Sequence, residues 1–178
     1  MATVADLKAD NCFLSDDNRV KVADFGTGRI AKHIQESSGS DTATTEFATA
    51  VATWSESADV GRTLSKGVGS LLWMAPEALR GSRLKDGQGA ALDVYSYAIV
   101  LWEIWTRGRP WDEVQEEGIQ FSARLTELVN AGVRPQMPAE CEAAPEGYQA
   151  LMEQCWAGRP DRRPPFTTIL QSLAAIAH

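Results

Sequence analysis

Asp6, Lys8 and Asn11 fall within the six residues "DLKADN", and Asp24 follows after a short apolar stretch. Two carboxylates, an amide and an ammonium so close in sequence form a set of hard ligands. Such oxygens suit Mg²⁺, which takes one or two carboxylates and completes its shell with water and phosphate oxygens. A hairpin between Asn11 and Asp24 can bring the two side by side. Solvated charges beside a turn account for the same residues, so these four alone do not decide between a site and a polar surface.

The intervening segment has the pattern of such a hairpin. In "CFLSDDNRVKVAD" two apolar stretches flank Asp16-Asp17-Asn18, residues that favour tight turns, and Val20 and Val22 alternate with Arg19 and Lys21. From about residue 35 to 66 the composition changes: twelve Ser or Thr lie between Ser37 and Ser65 with little periodicity, which predicts a long polar loop.

Beyond it the spacing turns helical. Residues 90–105, "AALDVYSYAIVLWEIW", are apolar on nearly every face, the pattern of a helix buried all round, with Gly108 and Pro110 to end it. Phe121, Leu125, Leu128 and Val129 form a one-faced stripe stopped by Gly132 and Pro135. Tyr148, Leu151, Met152, Cys155 and Trp156 repeat that stripe. A last helix opens after Pro164-Pro165 with Phe166, Ile169, Leu170 and Leu173.

The chain of 178 residues fits one domain with a real core. Its net charge of −7 argues against nucleic acid and anionic membrane as partners. The most apolar run, 97–105, is broken by Glu103 and too short to span a bilayer. Three scattered cysteines without C-x-x-C give neither a disulfide framework nor a zinc site, and two distant histidines give no histidine-rich metal site. With no signal-peptide core at the start, a reduced, cytoplasmic protein is the expectation.

Five motifs come in order: "DLKADN" (6–11), "DFG" (24–26), "GSLLWMAPE" (69–77), "DVYSYAIVLWE" (93–103) and "CWAGRPDRRPPF" (155–166). Together they resemble the C-terminal, large lobe of a protein kinase catalytic domain. The Trp and Met before Ala75-Pro76-Glu77 and the "CW…RRPPF" ending are similar to the tyrosine-kinase-like group. Lys8, two residues after the catalytic aspartate, is the serine/threonine signature. The resemblance implies an α+β family fold that is mainly α in this chain, with a small β-hairpin, a long activation loop and about four helices. It implies a partial kinase domain over 1–178: a catalytic loop at 6–11, an activation segment at 24–77 with a polar insert at about 35–66, and a helical subdomain at 78–178.

The roles that follow from the resemblance are specific. Asp6 orients the substrate hydroxyl and accepts its proton, and Lys8 offsets charge on the transferred phosphoryl group. Asn11 and Asp24 hold the Mg²⁺ of Mg·ATP, and Phe13 lies beneath the adenine. Ser70 contacts the catalytic Asp and Lys, and Trp73 shares its substrate-facing segment. Phe25 and Gly26 complete the "DFG" motif. Asp93 ties the catalytic loop to the buried helix, although on its own it reads as a charge near a helix N-terminus. Glu77 and Arg163 form a buried ion pair. Trp102, Trp105 and Trp156 read as core. The implied partner is a protein substrate phosphorylated on Ser or Thr, and an upstream kinase acting on the loop at 37–65 fits its twelve hydroxyls.

Three departures shape the expectation. Val4-Ala5 stand where the family carries His-Arg, which puts the usual contact to a phosphorylated loop residue in doubt. The glycine-rich phosphate loop, the strand lysine and its glutamate partner do not precede the catalytic Asp. This chain alone is therefore expected to bind Mg·ATP weakly and transfer phosphate negligibly, its start being read as lying inside a domain. The segment between "DFG" and "APE" is also unusually long. Two rival readings remain. "GTGRIA" (26–31) is a loose dinucleotide fingerprint, but the polar loop follows where a helix and second strand are needed. A pseudokinase-like scaffold that binds a partner through its helices is the other.

Overall fold

The computed structural model describes residues 7–23, 71–82, 88–114, 118–138 and 143–177. The polar loop at 35–66 lies outside them. The N-terminal hairpin pairs β1 (Cys12–Leu14) with β2 (Val20–Val22) antiparallel, with Phe13 opposite Lys21. Its turn closes through Asn18 N–H to the Ser15 carbonyl at 2.8 Å. Asn18 adopts φ 57°, the left-handed conformation that an Asn tolerates. A 3₁₀ turn, Ala9–Asn11, leads into β1.

The helical part is built on α2 (Gly89–Thr106). Its all-round apolar pattern has a structural cause, because the helix serves two cores at once. Leu92, Tyr95, Ile99 and Val100 pack with Leu71, Leu72, Trp73 and Trp111, and with Leu125 and Val129 of α3 (Gly118–Asn130). Val94, Ala98, Leu101 and Trp102 pack with Leu151, Met152 and Cys155 of α4 (Tyr148–Cys155) and with Ile169 of α5 (Phe166–Ile176). The expectation of burial on every face fails at the last turn, where Ile104 is 63% exposed. The last turn is covered on one side only: Trp105 packs against the second core, edge-on to Tyr148 of α4, while Ile104 stays exposed.

The ends of these helices follow local chemistry. Arg107, one residue before the expected Gly108, caps α2 in the left-handed conformation, its N–H on the Glu103 carbonyl at 2.8 Å. After α3, Gly132 at φ 89° donates to Val129 and Val133 donates to Leu128, the paired bonds of a Schellman cap. A four-residue helix that the sequence pattern does not announce, α1 (Pro76–Leu79), begins at a proline, whose fixed φ suits a first turn. The Tyr148 hydroxyl donates to the Leu101 carbonyl at 2.9 Å and fastens α4 to α2. In α5 the expected stripe is narrower than its sequence: Ile169 is buried, Phe166 and Leu173 are half-buried, and Leu170 is 70% exposed.

This division between core and surface predicts two contrasting substitutions. Leu125→Ala empties a site sealed from water and costs about 2–5 kcal/mol of unfolding free energy. Leu170→Ala changes stability by less than about 0.5 kcal/mol. Urea melts of the two variants check both figures.

Candidate functional site

Leu7 is buried and anchors the start of the described chain, while Lys8 beside it is half-exposed. Asn11, only 6% exposed, ends the 3₁₀ turn with its N–H on the Lys8 carbonyl at 3.0 Å. Across the hairpin, Ala23 N–H donates to the Asn11 carbonyl at 2.8 Å. The backbone thus brings the residue before Asp24 against Asn11. Asp6, Asp24, Phe25, Gly26 and Ser70 themselves lie outside the described residues. Phe13 is 56% exposed on β1, an aromatic surface open beside the loop.

The segment before α1 closes over this region. Trp73 is buried, and its indole N–H donates to Glu103 Oε2 on α2 at 2.8 Å. Lys8, Asp10, Trp73, Glu103, Arg107 and Arg109 contribute to the lining of a cavity of about 450 Å³ between the turn at 8–11 and the end of α2. Glu103 is the unusual titrating group here. Burial pushes its carboxyl up to about 7; the Trp73 hydrogen bond opposes the shift, the Asp10 carboxylate adds to it, and the Ala9 backbone also opposes it.

A second polar centre lies beneath. Arg163 meets Glu77 with NH1 on Oε1 at 2.6 Å and NH2 on Oε2 at 2.8 Å. Its remaining bonds run to the Ala157 and Ala91 carbonyls, each at 2.8 Å. The guanidiniums of Arg163 and Arg134 both lie 5.1 Å from the Tyr95 ring centroid. Burial pushes the Tyr95 hydroxyl up to about 12, and that hydroxyl has no hydrogen-bond partner among the described residues. Arg134 also caps the end of α4 through two bonds to the Trp156 carbonyl. Asp93 is buried in the second turn of α2; the backbone ahead of Leu7 that the resemblance assigns to it lies outside the described residues. Of the aromatic residues read as core, Trp102 is buried, and Trp105 and Trp156 are half-buried.

Sequence reading assigned no role to Glu103, Tyr95, Ser96, Trp111 or Arg134. A carboxylate interrupting an apolar run was the available signal for Glu103. Arg134 sits in "AGVRPQMP", which has no periodicity to mark it.

Among the described residues no cluster of three His, Cys, Asp or Glu could hold a metal ion. The amide of Asn11 and the carboxylate of Asp24, which the resemblance assigns to a metal, are a different kind of donor set. An amide and a carboxylate fit Mg²⁺, a hard cation that keeps waters and takes phosphate oxygens for its other ligands. No helix of the described residues is long and apolar enough to cross a membrane.

The chain belongs to the protein tyrosine and serine/threonine kinase family, which it matches over residues 47–173. It is similar to a probable LIM domain-containing serine/threonine-protein kinase of Dictyostelium discoideum, with 30% identity over 97% of this chain and 20% of that protein. It is also similar to the serine/threonine/tyrosine-protein kinase HT1 of Arabidopsis thaliana, with 30% identity over 94% of this chain and 33% of that protein. A probable serine/threonine-protein kinase of Dictyostelium discoideum is 39% identical over 61% of this chain and 6% of its own length. The chain thus spans a third or less of these relatives, and the two longer alignments take in the N-terminal hairpin. The helices around α2 and the small antiparallel sheet form the mainly helical large lobe of this family.

The raised Glu103 carboxyl predicts a pH dependence with a definite sign. A carboxyl whose folded value lies above its unfolded one stabilises the fold below the unfolded value of about 4.5, and that contribution is lost as pH rises through about 7. Glu103→Gln keeps an oxygen for the Trp73 indole and removes the titration. The melting-temperature difference between Glu103→Gln and the wild type therefore shifts in favour of the variant as pH rises from about 5 to about 8. A difference constant over that range contradicts the assignment.

Proposed function

We propose that this chain carries the catalytic-loop side of a protein serine/threonine kinase, transferring the γ-phosphoryl group of ATP to Ser or Thr hydroxyls of a protein in the cytoplasm. The observation that supports it best is the Ala23 N–H bond to the Asn11 carbonyl, which holds the residue before Asp24 against Asn11 at the base of the hairpin. In this reading Asp6 orients the attacking hydroxyl and accepts its proton. Lys8 offers its ammonium to the oxygens of the transferred group, where charge accumulates in the transition state. Asn11 and Asp24 would hold Mg²⁺, which would supply positive charge against the phosphates. Phe13, exposed on β1, offers the apolar surface beneath the adenine.

Ser70 lies next to Asp6 and Lys8 in this reading, and Trp73 holds the same segment to α2, so the target peptide meets a fixed edge. Phe25 and Gly26 set the turn after Asp24. In this family a glycine-rich loop and a strand lysine close over the nucleotide from the other side, so catalysis belongs to a complete two-lobed domain. An upstream kinase acting between Ser37 and Ser65 is the proposed control. Because Ala5 replaces the arginine that usually receives such a phosphate, that control works through a different contact.

A binding lobe without catalysis is the second reading, favoured by the exposed Phe13, Leu14 and Val20 of the hairpin. One experiment separates the two. The protein is captured from its own cells with an antibody to the α2–α5 region and supplied with labelled Mg·ATP. Phosphoserine and phosphothreonine are expected in the products. Incorporation falls at least about 10³-fold when Asp6→Asn replaces the wild type, the scale of losing a positioned base together with its orientation. Equal incorporation by both proteins sinks the kinase reading and leaves the binding lobe.

A further inference from the structure

Trp111 has a backbone conformation that its size does not favour. It is 2% exposed, yet at φ 65° it lies in the left-handed region, where a bulky residue stays only if its surroundings hold it there. It follows Arg107, also left-handed at φ 54°, and the buried Pro110, in the tight passage that leaves α2. The conformation turns the indole back over the segment before α1. There its N–H donates to the Leu72 carbonyl at 3.2 Å, across 39 positions of sequence.

The next residue along is held from α2 instead. The Ser96 hydroxyl donates to the Trp73 carbonyl at 2.9 Å, and the Trp73 indole donates to Glu103 at 2.8 Å. Residues 72 and 73 are thus gripped by three side-chain bonds from two directions, where a strand would use a backbone ladder. A buried carbonyl deprived of its donor is costly to the conformation that buries it. The strained turn and the bond it makes therefore belong together.

We propose that Trp111 is a positioning residue for the substrate-facing segment: the left-handed turn after α2 aims its indole N–H at the Leu72 carbonyl and fixes the edge against which an extended Ser- or Thr-containing peptide lies. This rests on the kinase reading of residues 70–77. A phenylalanine here fills the same apolar space and lacks the donor, so the bond can be removed without the ring.

The test is Trp111→Phe in the full 178-residue chain, read by amide hydrogen exchange and by binding of a degenerate Ser/Thr peptide library. Exchange of the Met74 amide, which closes its turn on the Leu71 carbonyl, is expected to speed up about tenfold or more, while amides in the middle of α2 keep wild-type rates. Peptides that bind the wild type are expected to bind the variant more weakly. Ser96→Ala, which loosens the same segment from the other side, is expected to give the same local signature and carries the test if Trp111→Phe does not fold. Unchanged exchange at Met74, acceleration spread evenly through the helices, or local loosening with undiminished peptide binding each overturns the proposal. If the wild type binds no Ser/Thr peptide, the kinase reading fails instead, and the exchange data still decide whether Trp111 fixes the segment.

Discussion

Glu77 and Arg163 stand 86 positions apart and meet through two short hydrogen bonds in a space almost closed to water. Removing two charges from water is expensive, and the attraction between them repays the cost only when geometry is good and the other polar atoms are satisfied. Both conditions hold. The planar guanidinium grips the carboxylate with two nitrogens, and its remaining bonds go to the Ala157 and Ala91 carbonyls. One side chain thereby joins α1, the start of α2 and the stretch between α4 and α5. Tyr95 lies against both Arg163 and Arg134, which brings the end of α3 into the same arrangement. The segment ahead of α1, with Leu72 and Trp73, has a fixed floor because α1 is held in this way.

On that floor the chemistry is set by contrasts of hydration. At the turn before β1 a half-exposed lysine, Lys8, and a buried asparagine, Asn11, stand close to an open cavity. Glu103 is held inside the boundary, against Trp73, and so favours its proton up to near neutrality. One helix, α2, reaches both the ion pair and the cavity, and it can do so because its two apolar faces are each covered by a separate core. An amphipathic helix with a single buried face could not tie these regions together.

Much of this was legible from residue types alone. The hairpin, with its polar turn and short apolar arms, appears as β1 and β2, and the three one-faced stripes appear as α3, α4 and α5. The run at 90–105 announced a buried helix because apolar residues fall on nearly every face, with Asp93 and Glu103 as its charged residues. Less legible was whatever depends on contacts between distant residues. Leu170 follows the helical stripe but stays largely exposed, because α5 packs through a narrower face than its sequence offers. The short α1 carries no period to detect. Trp111 and Ser96 act through one hydrogen bond each to a carbonyl far away in sequence, and no local pattern encodes such a bond. Of the candidate site, the Asn11 end was readable through the hairpin, while the part played by Glu103 needed the fold.

The most direct measurement is a double-mutant cycle on the ion pair, using Glu77→Gln, Arg163→Met and both together, with unfolding free energies from urea melts. Each single change is expected to cost about 3–5 kcal/mol, because it leaves a buried charge or polar group without its partner. The double change is expected to cost at least about 1 kcal/mol less than the sum of the two, the signature of a direct coupling. Costs that add to within about 0.5 kcal/mol would show that Glu77 and Arg163 act separately. In that case the floor beneath the substrate-facing segment is held by packing, and the central place given to the pair is wrong.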